Sequence, residues 1–117
     1  MSRMATILVT TVDVAPGSED AFNRWYNETH LPEILGCPGF VSSTRYECVE
    51  GQPRFMAVYE LESPAAMTTP ELKAVRGWGE MFPFVRNFHE RIYTRIFALD
   101  SPSCGPGGSR GSALRRR

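Results

Sequence analysis

The chain is poor in the residues that hold metals or covalent frameworks. Three cysteines, Cys37, Cys48 and Cys104, are an odd number with no close pair, which leaves out a disulfide scaffold and a zinc site of CxxC spacing. His30 and His89 are the two histidines, and neither stands at a spacing that pairs with cysteine or carboxylates, so a dedicated metal site is not expected. There is no glycine-rich strand-to-helix turn to cradle a nicotinamide or nucleotide phosphate, and no nucleophile triad. Long apolar runs are missing too. No segment approaches the length that spans a bilayer, and the opening MSRMATILVTTVDV is too short and too alternating for the apolar region of a signal peptide. The expectation is a cytoplasmic protein in a reducing compartment, with no membrane partner.

Net charge is also absent, since 13 Lys+Arg balance 13 Asp+Glu. The balance is uneven along the chain: residues 1–100 hold nine basic against thirteen acidic side chains, and the tail from Ser101 adds four arginines and no acid. A domain carrying four excess negative charges disfavours nucleic acid, whose binding depends on clustered cations releasing phosphate counterions. A length of 117 residues suits one domain with a modest core, which a second subunit would help complete.

What is present is an alternation of strand and helix patterns. Met4 to Val14 is β-branched and alternating, with Ala5, Ile7, Val9 and Thr11 opposite Thr6, Leu8, Thr10 and Val12, and predicts a first strand. Pro16-Gly17-Ser18 turns the chain, Ser18 is a candidate N-cap, and Glu19 and Asp20 place negative charge at the positive end of the helix dipole. Phe22, Trp25, Tyr26 and Thr29 then recur at helical spacing as an inward face, with Glu19, Asn23, Arg24 and Asn27 outward. Pro32 lacks the donor for the Glu28 carbonyl, so the helix is expected to kink or stop near His30.

Phe40 to Val49 alternates as a second strand, with Phe40, Ser42, Thr44, Tyr46 and Cys48 on one side. Gly51-Gln52-Pro53 turns into a third strand, Arg54 to Leu61, whose Phe55, Ala57, Tyr59 and Leu61 share a face. Ser63-Pro64 and Pro70 start short helices, Gly77-Trp78-Gly79 interrupts, and His89 to Leu99 alternates as the last strand. Residues 101–117, rich in Gly, Ser, Pro and Arg, are expected to be a disordered tail to a domain over residues 1–100. The order βαββαβ with right-handed crossovers predicts an α+β, ferredoxin-like fold, a four-stranded antiparallel sheet with both helices on one face. The other face also carries apolar residues, and sheet-to-sheet packing in a homodimer is the simplest way to bury it.

The segment EDAFNRWYNETHLPEILGCPGFVSSTRYE, with the later GQPRFMAVYELESP and RNFHERIYTRIF, resembles the EthD-like dimeric α+β barrel proteins over residues 5 to 98. Its Trp-Tyr, His-Leu-Pro and Pro-Gly-Phe elements at these spacings are more specific together than any one alone. The resemblance implies a cleft between helices and sheet in each subunit. Across the superfamily such clefts serve cofactor-free cyclases, isomerases and monooxygenases and haem-degrading enzymes, so the fold fixes no single reaction.

His30 is the first catalytic candidate, because an imidazole titrates near neutrality and can move a proton at an activated carbon or phenol. Its plain alternative is a helix-end histidine bonded to a freed carbonyl. Tyr26, four residues earlier on the same helical face, can orient a substrate carbonyl or the imidazole. Trp25, Phe40, Trp78 and Tyr93 are the candidate substrate-binding residues, Trp78 as a lid tip between its glycines; core packing is the favoured reading of Trp25 and Phe40, a loop anchor the alternative for Trp78 and an interface with a partner sheet the alternative for Tyr93. Cofactor-free chemistry is the default, while haem, which needs only one axial histidine, remains open. Two classes follow: a homodimeric enzyme acting on a small aromatic or polyketide-like molecule, or a non-catalytic dimeric ligand-binding or accessory module.

Overall fold

The structure is a computed structural model and describes residues 5–102. The disordered tail expected from Ser101 falls, from residue 103 onward, outside the described residues, as does Cys104. The elements are β1 (Thr6–Val14), α1 (Glu19–Trp25), a π turn (Tyr26–His30), α2 (Leu31–Leu35), β2 (Phe40–Glu47), β3 (Phe55–Leu61), a 3-10 segment (Pro64–Thr68), α3 (Pro70–Val75), a second 3-10 segment (Gly79–Phe84) and β4 (Val85–Thr94). The four strands form one antiparallel sheet in the order β2-β3-β1-β4, the ferredoxin-like arrangement expected.

Alternation on the central strands decides where the core sits. Thr6, Leu8, Thr10 and Val12 of β1 and Phe55, Ala57, Tyr59 and Leu61 of β3 are buried beneath the helices. Phe22, with no exposed surface, packs at 5.6 Å between ring centroids on Phe55 and at 5.5 Å on Tyr26. The opposite face, with Ile7, Val9, Met56 and Val58, is only half buried within one chain. Among the described residues nothing covers it.

Three expectations are corrected. Of the kink or stop expected near His30, the stop does not occur: helical backbone runs from Glu19 to Leu35, and the irregularity is a π turn in which the Leu31 N–H donates to the Tyr26 carbonyl, five residues back. The wide turn absorbs a residue whose missing N–H breaks the regular ladder. It also changes which residues point inward. Phe22, Tyr26, His30 and Ile34 are all buried at a spacing of four, and Thr29 is exposed. In a regular helix a spacing of four drifts about 40° per step, so four such residues spread over about 120°; the π turn holds them on one stripe.

On β2 the register shifts between Phe40, opposite Leu61, and Ser42, opposite Glu60. Strict alternation groups Phe40 with Ser42, Thr44 and Tyr46, but the irregularity at Val41 places Ser43, Arg45 and Glu47 on the helix side after Phe40. The last strand starts earlier than its alternation suggested and ends sooner. Beyond a second register shift, Val85 pairs with Val14, and the Arg95 N–H donates to the Ala5 carbonyl at 2.8 Å just past the last paired residues. Ile96, Phe97 and Leu99 continue with 90%, 77% and 84% of their surface exposed.

Candidate active site

A cavity of about 140 Å³ lies between the sheet and the helical layer. Leu8 and Thr10 of β1 and Tyr59 of β3 form its floor, Tyr26, His30 and Ile34 one wall, and Trp78 and Phe88 another. The stripe created by the π turn therefore delivers Tyr26 and His30 to one wall. π turns recur at functional sites because they re-aim side chains in this way.

The His30 ring is stacked on Trp25, with centroids 4.7 Å apart and planes at 18°, and meets Tyr26 edge to face at 4.9 Å. Trp78 lies 5.9 Å away, near parallel. The ring makes no hydrogen bond to a described residue, yet neither nitrogen is a sealed polar atom without a partner. The plain alternative of a histidine bonded to a freed helix carbonyl is therefore not what the geometry shows. Burial, reinforced by the Arg45 charge, pushes the imidazole down to a pKa of about 4, so it is neutral at physiological pH and can accept a proton.

The Tyr26 and Tyr59 hydroxyls are 2.6 Å apart and buried. Burial raises the pKa of both phenols, which keeps them protonated donors. The Arg45 guanidinium sits 4.3 Å from the centre of the Tyr26 ring, in cation–π geometry, and donates to Asn27 Oδ1 at 3.0 Å and Asn23 Oδ1 at 2.8 Å. Space for it comes from Ala57, its cross-strand neighbour. At the cavity edge Arg76 pairs with Glu90 at 2.5 Å, tying the end of α3 to β4.

The structure thus brings His30, Tyr26, Phe40 and Trp78 to one cavity. Trp25 does not line it but backs the His30 ring. Tyr93 is corrected: it pairs with Ile7, and that register puts it on the uncovered sheet face, half exposed and away from the cavity. The reason is parity, since Glu90 and Ile92 take the inward positions on β4 opposite Thr10 and Leu8. Sequence reasoning missed Tyr59, Arg45, Arg76 and Glu90. Tyr59 was on a face already marked as shared with Phe55 and Leu61, whereas the β2 irregularity hid Arg45. Among the described residues, no group of three or more His, Cys, Asp or Glu side chains comes together that could hold a metal ion, and no helix is long and apolar enough to cross a membrane.

An antiparallel sheet under helices, with an aromatic cavity between the layers, defines an α+β domain of the ferredoxin-like type. Solved structures of an EthD family protein and of a dabb family protein with a ferredoxin-like fold share that fold. No family model matches the sequence and no curated protein matches it. Solved structures do. An antibiotic biosynthesis monooxygenase-like protein from Bordetella bronchiseptica is 13% identical with a TM-score of 0.67, over 81% of this chain and 100% of the other. An ethyl tert-butyl ether degradation (EthD) family protein from Bacillus halodurans is 20% identical with a TM-score of 0.57, over 80% of this chain and 100% of that one. The haem degrader MhuD from Mycobacterium tuberculosis, with two haems bound in its active site, is 16% identical with a TM-score of 0.63, over 81% and 99%.

Proposed function

We propose that the protein is a small homodimeric enzyme that binds an aromatic molecule in the cavity between helices and sheet. His30 accepts or returns a proton there, and Tyr26 orients a ligand oxygen. The observation that carries this reading is a neutral imidazole and a buried phenol on one wall, ring centroids 4.9 Å apart. Cavity size narrows the ligand. A volume of about 140 Å³ is close to that of an apolar cavity that holds a benzene ring, about 150 Å³. A single ring is favoured, and a polyketide-like polycycle would extend beyond the cavity. Cofactor-free isomerisation, cyclisation or oxygen insertion at an activated ring or carbonyl suits the groups present, and a monooxygenase-like protein of similar fold supports the last of these.

The homodimer rests on the half-buried face carrying Ile7, Val9, Met56 and Val58, which sheet-to-sheet packing would cover. Cys37 and Cys48, both free, suit a reducing cytoplasm. Haem, held by MhuD, does not fit the cavity as it stands, because a porphyrin is several times larger than one aromatic ring.

Trp78 on the cavity wall supplies the test. Its fluorescence is expected to be quenched saturably by single-ring aromatics, and His30→Ala to change that binding. An accessory module would bind without turning over any ligand. No saturable binding, or a haem Soret shift in place of aromatic binding, would sink the proposal.

A further inference from the structure

Two hydroxyls carry two protons, and the 2.6 Å bond between Tyr26 and Tyr59 uses one of them. The second is left for a ligand oxygen, since Thr10, which shares the cavity floor, is a donor towards Tyr26. Both tyrosines line the cavity, and behind the Tyr26 ring stands Arg45, whose Nε is buried with no hydrogen-bond partner. The charges around this point are few. Glu90 reaches the cavity but is paired with Arg76, Glu47 shares the inward side of β2 with Arg45 but bonds Arg54 at 2.9 Å, and His30 is neutral. Arg45, held by two amides instead of a carboxylate, is an unneutralised charge against the Tyr26 ring.

We propose that Tyr59 and Tyr26 form a paired-hydroxyl subsite for a developing oxyanion, with Arg45 as its positioning residue, so that the ligand is a single-ring phenol or an enolisable aryl carbonyl. This inference rests on the aromatic-binding reading and adds the charge state of the ligand. The step balances as a proton transfer. The ligand's O–H or α-C–H proton passes to a His30 ring nitrogen, and the electron pair stays on the ligand as phenolate or enolate. The ligand oxygen then accepts the spare tyrosine hydrogen bond. Preorganised donors in a site sheltered from water are an effective way to stabilise such charge. Imidazolium and oxyanion form together, so the cavity gains no net charge even though His30 alone is a weak base.

The test compares 4-nitrophenol with 4-nitroanisole, a similar ring that cannot ionise, using the visible absorbance of the bound phenolate and Trp fluorescence. Wild-type protein is expected to bind the phenolate about tenfold more tightly than the anisole, lowering the apparent pKa of the bound phenol by about one unit. The double variant Tyr26→Phe/Tyr59→Phe should abolish that preference and Arg45→Gln weaken it while anisole binding persists, which reports that the fold survives, and Arg45→Lys should restore part of what Arg45→Gln loses. Equal affinity for both probes, or a preference unmoved when both hydroxyls are removed, overturns the oxyanion subsite and leaves the aromatic cavity standing. Failure of both probes to bind overturns the two together.

Discussion

His30 lies flat against Trp25, 4.7 Å between ring centroids with planes at 18°, while Tyr26 meets the same imidazole edge on. An indole face attracts a cation, but that attraction is outweighed here by lost hydration and by the Arg45 charge, and the ring stays neutral.

Its titration should follow. NMR should place the His30 pKa near 4, against an ordinary value of 6.5. Between pH 6.5 and 4 the unfolded chain binds more protons than the folded one, so stability falls as pH drops through that window, by about 3 kcal/mol in total. Urea melts of wild type and His30→Phe should diverge there and run parallel above pH 7.

Arg45→Met removes the charge and keeps most of the volume. The His30 pKa should rise from about 4, stopping short of its ordinary value because burial remains the larger cause. Loss of the cation–π contact and the two amide bonds should cost about 1–3 kcal/mol in a denaturant melt.

Tyr26→Phe or Tyr59→Phe should each cost about 1–2 kcal/mol, since one buried hydroxyl loses its partner. The double variant should cost less than the sum, with a coupling of about 1 kcal/mol in a double-mutant cycle. Strict additivity would mean that the pair contributes nothing.

Gly39 has φ +89°, and a Cβ there would lie 2.7 Å from Ala66 Cβ and 3.2 Å from Ala66 Cα. Gly39→Ala should destabilise by about 2–4 kcal/mol, combining a left-handed backbone with a clash against main chain. Gly51→Ala, with φ +102° and nothing within 4 Å, should cost less, and thermal melts of the two variants separate the terms.

The dimer is checked by sedimentation. Wild type at micromolar concentration should run as two chains, and Val58→Asp, whose residue faces Val9 across the open sheet surface, as one. A wild-type mass of one chain would remove the sheet-to-sheet interface.

The sequence by itself determined the element order, the inward side of β1 and β3, and the neighbourhood of Tyr26 and His30. Those follow from local pattern: period-two burial, turn residues at fixed offsets and a four-residue spacing on one helix. Tertiary structure decided what two irregularities do. The π turn carries the helix through Pro32 and turns His30 inward in place of Thr29, and the Val41 irregularity brings Arg45 beneath Tyr26. Neither is legible from periodicity, because one extra residue in a turn or a strand is accepted only when the packing on both sides of it is satisfied together. The Tyr26–Tyr59 bond joins residues 33 positions apart, and only the sheet and helix folded against each other bring their hydroxyls within reach.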